Sequence, residues 1–283
     1  QKGLNPHLLV MTATPIPRTL ALTVYGDLEV STIDEMPPGR KPIKTRWYQP
    51  GERDDAHAFI RKHLDAGEQA YVICPLVEES ETLDVRSAEE EFEHLRNGPL
   101  AGYSLELLHG RMPGRMKDEI MGRFGRGETQ ALVSTSVIEV GIDVPNATVI
   151  VIEGAERFGL SQLHQFRGRV GRSETQSYCL LFSSEEDPGP EARERLEAMC
   201  QTTDGFELAE VDLRMRGEGE TWGRLQSGAN TMLRVARLTD REILIQAREI
   251  ARSVLSRDPR LQKPENHPLA AAAKPFLERA TEA

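Results

Sequence analysis

QAYVICPLV (69–77) is an apolar run with almost no polar interruption. A strand that faces water on one side alternates apolar and polar residues. An unbroken run of this kind suits a strand covered on both faces, the situation in a parallel sheet. Working outward, KTRWYQ (44–49) reads as a strand, and 53–66 has helical spacing through Ala56, Phe59, Ile60, His63 and Leu64. Downstream, SLELLHG (104–110), QALVST (130–135), ATVIVIEG (147–154) and YCLLF (178–182) read as further strands. Helical spacing is predicted between them at 113–124 and 160–166. Strands alternating with helices predict an α/β domain built on a parallel sheet. Ligand sites in such sheets gather in loops at the carboxyl ends of strands, which is where His109 and Thr135 stand.

The flanks read differently. HLLVMTAT (7–14) predicts a buried strand and PIPRTLALTVYG (15–26) a helix started by proline and ended by glycine. DEMPPGRK (34–41) is a linker, because its Pro-Pro-Gly core resists both helix and sheet. Beyond 182, the stretches 188–200 and 206–216 predict a helical hairpin joined by TTDG. A glycine-rich loop (217–228) with Trp222 as a packed anchor comes next, then a long amphipathic helix over 239–255. The Pro- and Ala-rich tail (258–283) is expected to dock loosely or fray.

The chain has 283 residues, 39% of them apolar, with 35 basic and 45 acidic side chains for a formal charge of −10. That is enough for two domains. The acidic balance counts against a dedicated nucleic-acid binder. Charge is unevenly spread, however: 78–93 is acidic apart from Arg86 and reads as a loop and an exposed, solvated helix, while basic residues gather at 111–126, 157–172 and 214–237. A local basic groove can coexist with a negative total. Cys74, Cys179 and Cys200 show no CxxC or Cys/His spacing, so neither a disulfide framework nor a zinc site is expected, and Cys74 and Cys179 sit in core-like runs. No apolar stretch approaches membrane-spanning length and no signal peptide opens the chain, which together predict a cytoplasmic protein. Starting at Gln1 and running at once into an apolar segment, the chain reads as part of a longer polypeptide.

The densest chemical signal is HQFRGRVGR (164–172), downstream of TSVIEVGIDVP (135–145). Glycine lets backbone approach a phosphate closely. Arg169 and Arg172, three apart, can present both guanidiniums to one side. Arginine against a transferring phosphoryl group stabilises transition-state charge, an effect of about a thousandfold or more.

Four segments in order resemble superfamily 2 helicase motifs. TATPIPRT (12–19) resembles motif III, HGRMPGRMKDEIMGRF (109–124) a DNA-contacting segment of the second lobe, STSVIEVGIDVP (134–145) motif V and QFRGRVGR (165–172) motif VI. DEMPPGRKPIKT (34–45), RFGLSQLHQFRGRVGR (157–172), TTDGFELAEVDLRMRGEGETWGRLQSG (202–228) and DPRLQKPENHPLAA (258–271) together resemble the RecG family of bacterial branched-DNA translocases, the third of these matching its TRG hairpin and loop. The resemblance implies a RecA-like second motor lobe of the P-loop NTPase fold with an appended helical hairpin and C-terminal helices. It divides the chain into a first-lobe remnant with motif III (1–36), the helicase C-terminal lobe (37–184), the hairpin and loop (185–230) and C-terminal helices with a tail (231–283).

The same resemblance implies roles. Arg169 and Arg172 would reach across a lobe cleft to ATP phosphates as the catalytic arginines. Gln165, Gly141 and Asp143 would line the nucleotide, and Thr135 and His109 would meet the DNA backbone. Thr12, Ala13 and Thr14 would couple hydrolysis to strand movement, and Arg195, Arg216 and Gln226 would pass lobe motion to duplex DNA. Local alternatives stand beside these. Asp143 could cap the turn before Pro145, and Thr135 could bond backbone at a strand end. Arg195 could pair on a helix surface with Glu191 or Glu194, and Arg216 could answer a helix dipole.

No GxxxxGK[ST] and no DExH box occurs, so the P-loop lobe, which would hold ATP and Mg2+, and a DNA-splitting wedge domain are expected elsewhere in the polypeptide, and this stretch alone is expected to be inactive. Branched DNA (replication forks and Holliday junctions) is the implied substrate, in DNA repair and recombination, with no membrane and with single-stranded-DNA-binding protein as a further partner. Two alternatives remain: a transcription-repair coupling translocase, and a non-catalytic interaction module that kept a motor lobe without its partner.

Overall fold

The computed structural model describes residues 37–75, 81–135, 144–220 and 241–280, with Leu9, Met11, Ser31, Ile33 and Glu35 besides; side chains at 81–86, 216–220, 241, 242, 244 and 275–280 are not described. The strand expected at 7–14, the helix at 15–26 and the loop residues 221–228, Trp222 included, lie outside the described residues. The described chain divides into two compact units, one taking in residues from 33 to 215 and the other residues from 216 to 280.

The first unit is built on six parallel strands: β1 (Lys44–Tyr48), β2 (Gln69–Cys74), β3 (Leu105–Leu108), β4 (Ala131–Thr135), β5 (Ala147–Ile152) and β6 (Tyr178–Phe182). Their order across the sheet is β1-β6-β5-β2-β4-β3. Every expected strand over 44–182 is present, and the parallel α/β lobe is the RecA-like arrangement that the sequence implies. Residues of β2, β4 and β5 are all buried, as an unbroken apolar run requires.

Period-two alternation splits these strands between two cores. Tyr71, Ile73, Leu132, Ile150 and Ile152 join one core, which helices α3 (Gly114–Gly125), α4 (Leu160–Arg167), α5 (Pro190–Gln201) and α6 (Gly205–Glu220) complete. Ala70, Val72, Val133, Val149 and Val151 join the other, under α1 (Arg53–Asp65) and α2 (Glu81–Asn97). Leu196, Met199 and Leu208 lie in the first core, so the opening of the hairpin packs as part of the lobe. Gln69 pins one end of the sheet: its buried amide donates to the carbonyls of Phe124 (2.6 Å) and Thr129 (2.7 Å) and its oxygen accepts from Asn146.

In the second unit the amphipathic helix forms as α7 (Arg241–Arg257), with Ile243 and Ile250 open to solvent. The tail carries a helix, α8 (His267–Ala280), largely exposed over 267–274. Alanine is the best helix former, and Pro268 stands in the first turn, where its missing N–H costs nothing. Asp258 organises the approach, accepting from the backbone N–H groups of Gln262 (3.0 Å) and Lys263 (2.8 Å) and from Asn266 Nδ2 (2.9 Å).

The acidic stretch departs in part from its reading. Glu89, Glu90 and Glu93 are exposed, as a solvated face requires. Glu91 is not: it shares the inner stripe of α2 with Ala88, Phe92 and Leu95, and its Oε1 is buried without a hydrogen bond. The neighbouring acid is Glu153, just past β5, which is 7% exposed and takes both Nη groups of Arg53 at 3.2 and 2.8 Å. The Arg53 guanidinium bonds Glu153 and acts on Glu91 only through its charge. Burial first, then the charge of Glu153, pushes Glu91 up to about 7; burial likewise raises Glu153, against the opposing pull of Arg53. A folded-state value above the ordinary one means that the native state holds more protons from the usual carboxylate range up to about 7. Stability therefore falls as pH rises through that window. Glu91→Gln is expected to stabilise the chain by about 1–2 kcal/mol near pH 8 and by almost nothing near pH 4.5. Urea unfolding of both forms across that range checks this; a gain independent of pH would refute it.

Candidate nucleotide and DNA interface

The arginine-rich segment begins on α4, whose Leu160, Leu163 and Phe166 are buried on one face, with Phe166 edge-on to Phe158 at 5.2 Å between ring centres. The helix stops at Gly168, and the chain turns with the Arg169 N–H donating to Phe166 O (2.9 Å). Val170 is buried, and Gly171 adopts φ +77°, a left-handed conformation that side chains disfavour.

This path separates the three arginines. Arg167 points inward and is 2% exposed. Its Nη1 donates to Met199 O (2.9 Å) and Thr202 O (2.8 Å), the carbonyls at the end of α5. Its Nη2 lies 3.1 Å from His164 Nδ1. Arginine can only donate, so Nδ1 must accept and the His164 proton sits on Nε2; burial, with Arg167 second, lowers the His164 pKa and keeps the ring neutral. Arg169 and Arg172, by contrast, are half-buried, and Gln165 is exposed on α4. Arg169 has no ion-pair partner among the described residues. Arg172 Nε reaches back to Gly168 O at 3.4 Å, a marginal bond. Neither Arg169 nor Arg172 is sunk in the core, as a phosphate-reaching role demands.

A second tie joins α5 to the segment leading into α4. Arg195 Nη2 donates to Glu156 O (2.9 Å), in the single turn Ala155–Arg157 that follows Gly154, while Arg195 Nε is buried without a partner. Arg195 therefore crosses to the motif segment instead of pairing with Glu191 or Glu194; it is Arg214 of α6 that pairs with Glu194 (3.1 Å). That pair is exposed and contributes little.

The remaining expected residues fall in three groups. Thr135 ends β4, where it is 2% exposed and in register with Cys74. His109 follows β3, half-buried, with Nδ1 buried and unbonded; burial, then Arg111 and Lys117, lowers its pKa against the opposite pull of Glu89. Arg111 and Lys117 stand close enough to act on it, while Arg115 on α3 is 92% exposed and paired with Glu119. Thr12, Ala13, Thr14, Gly141, Asp143 and Gln226 lie outside the described residues, as does the side chain of Arg216 on α6. Sequence reasoning missed Arg167 as a structural tie, although its spacing of three and four from His164 and Leu163 puts it on the buried face of α4. Among the described residues there is no group of three or more His, Cys, Asp or Glu placed to hold a metal ion. No helix of the described residues is long and apolar enough to cross a membrane.

Known protein families match both parts of the chain. Residues 55–174 match the helicase conserved C-terminal domain, and residues 202–280 match domain 3, C-terminal, of the ATP-dependent DNA helicase RecG. The chain is 51% identical to the RecG helicase of Synechocystis sp. over 92% of its length and 31% of that protein, and 48% identical to that of Bacillus subtilis over 93% and 38%. A solved RecG structure bound to a three-way DNA junction superposes with a TM-score of 0.64 at 44% identity, covering 84% of this chain and 30% of that one. The chain thus spans about a third of the length of the curated relatives it matches. It belongs to the RecG family of ATP-dependent DNA helicases, and carries the helicase C-terminal and domain 3 C-terminal regions of that family.

Proposed function

We propose that this chain is the second motor lobe and force-transmitting hairpin of an ATP-dependent double-stranded DNA translocase that remodels stalled forks and branch-migrates Holliday junctions. The observation that carries the reading is the division within 164–172: Arg167 is locked to the end of α5 while Arg169 and Arg172 remain outside the core. Arg169 and Arg172 supply positive charge to the phosphates of an ATP held by a P-loop lobe in cis, and Mg2+ belongs with that lobe. Gln165, Gly141 and Asp143 complete the nucleotide contacts in this reading.

Force follows the two bonds to α5. Arg167 grips its carboxyl end, and Arg195, one helical turn or more earlier, grips the turn that leads into α4. A helix held by Arg167 of α4 at its end and fastened to the turn before α4 moves with that helix. Motion of the arginines on hydrolysis therefore reaches α5 and, through TTDG, α6, with Arg216 and Gln226 passing it to duplex DNA. Thr12, Ala13 and Thr14 would link hydrolysis to that movement from the first lobe. Contacts at Thr135 and His109 are to phosphates, since a motor must ignore sequence. The relative solved on a three-way junction supports branched DNA as the substrate, a wedge domain in cis supplies strand separation, and single-stranded-DNA-binding protein is a further partner in the cytoplasm. The match of 202–280 to a RecG domain favours this reading over a transcription-repair coupling motor.

In the full-length protein, Arg172→Ala is expected to lower ATP turnover by about a thousandfold while junction binding, read by gel shift, persists; unchanged turnover would remove the arginine from the reaction. Arg167→Ala is expected to leave junction binding intact and to lose branch migration more than ATP turnover. It should also cost about 2–3 kcal/mol of local stability in the hairpin, read as faster amide exchange in α5 and α6. Arg167→Lys should not restore these bonds, because a single ammonium cannot span both carbonyls and the imidazole. Protection in α5 identical to the parent's would dismiss the grip.

A further inference from the structure

The linker over 37–42 and the arginine loop over 168–177 are separate in sequence, yet they meet. Gln176 Nε2 donates to Pro42 O at 2.8 Å and to Ser177 O at 3.0 Å. The Lys44 N–H donates to the same Ser177 carbonyl (3.0 Å), which starts the β1–β6 ladder at Lys44 and Tyr178. Ser177 Oγ in turn accepts from the Gly171 N–H (3.1 Å). A Cβ at Gly171 would stand 2.9 Å from Ile43 Cγ1 and 3.0 Å from Cδ1, so Ile43 occupies the space that only a glycine leaves open. On the far side, a Cβ at Gly39 would come within 3.2 Å of Glu174 Oε1.

Residues 37–42 are exposed throughout, so apolar burial does not hold them in place. Their stiffness is intrinsic: Pro37, Pro38 and Pro42 fix φ, and the Arg40 N–H closes a turn onto Pro37 O (3.3 Å). A stiff segment fastened at its end by Gln176 and Ile43 transmits displacement to the loop that carries Arg169 and Arg172, instead of absorbing it.

We infer that 37–43 is a strut that sets the position of the arginine loop, with Gln176 and the Gly171–Ile43 contact as its positioning elements. The inference rests on the proposed role of Arg172. In a two-lobed motor this strut is the stretch of chain entering the second lobe, so the angle between lobes and the reach of the arginines become one variable. Gln176 touches no substrate; it acts through Arg172.

The test uses the full-length protein, with ATP turnover measured at saturating forked DNA. Gln176→Ala and the isosteric Gln176→Glu, which removes the donor and sets a carboxylate against the Pro42 carbonyl, are expected to lower kcat between about tenfold and a hundredfold. KM for ATP should stay within about twofold, because an arginine that acts only in the transition state alters kcat alone. Melting temperature should stay within about two degrees, as an exposed bond dictates. Arg172→Ala run alongside separates the two ideas. If it abolishes turnover while both Gln176 variants keep kcat within about twofold of the parent, the strut is refuted and the arginine's role stands. If Arg172→Ala leaves turnover intact, the reading beneath the strut falls, and the strut with it. A loss of kcat in the Gln176 variants that only tracks a large fall in melting temperature also refutes the positioning role.

Discussion

A buried guanidinium with no carboxylate among the described residues holds this lobe and its hairpin together. Arg167 carries a full charge at 2% exposure and meets it with two helix-end carbonyls and a neutral imidazole. Burying a charge costs several kcal/mol unless its donors are satisfied. The end of α5 offers partial negative charge from carbonyls that have no intrahelical donor. Each party thus removes the other's penalty: the helix end gains donors in a site closed to water, and the arginine gains acceptors without a counter-ion that would compete for it. A carboxylate in that place would hold Arg167 as well, but it would say nothing about where α5 ends. Carbonyls fix the register of the helix against the loop.

The second buried charge cluster works under a different constraint. Arg53, Glu91 and Glu153 bring one cation to two acids near the carboxyl ends of β2 and β5, with Cys74 close by and its thiol raised well above its usual value by burial and then by these acids. His57 on α1 has Nε2 buried and unbonded, and burial followed by Arg53 lowers it to about 4. It therefore contributes no compensating positive charge near neutral pH. The excess carboxyl is accommodated by holding a proton, which makes the junction of α2 with the sheet softer at high pH than the apolar packing around Ala88 and Leu95 would make it.

Much of this architecture was legible because the strands obey a simple rule. Runs such as 69–74 and 147–152 are apolar on both faces, and only a sheet covered on both sides accommodates them. The arginine segment stands out in the sequence because glycine and arginine alternate there. Legibility failed where one side chain departs from the habit of its type. Glu91 sits in an acidic stretch, and charge alone marks it as solvated; only its place between Ala88 and Leu95 on the inner stripe shows otherwise. Arg167 was hidden in a motif whose other arginines face outward. Arg195 had been assigned competing roles, and geometry replaced its helix-surface pairing with a bond to Glu156 O.

Why Arg167 turns inward while Arg169 and Arg172 do not follows from backbone geometry. On α4, residues three and four apart share a face, so Leu163, Phe166 and Arg167 are committed to the buried side together. Three beyond 167 is Val170, which keeps to the buried side, whereas Arg169 and Arg172, two and five beyond it, stand about 160° and 140° round from Arg167 by helical spacing. Gly168 ends the helix first, and Gly171 then enters a conformation that a side chain would resist, pressed against Ile43. The two glycines do different jobs within four residues: one ends the helix, and the other lets the chain turn back tightly enough to be fastened at Ser177. Between them Val170, buried at 2%, is the only side chain driven into the core, and it anchors a loop whose charged neighbours can stay outside. The same nine residues thus pack one arginine against the core and leave two outside it, because spacing along the chain sends each to its own side.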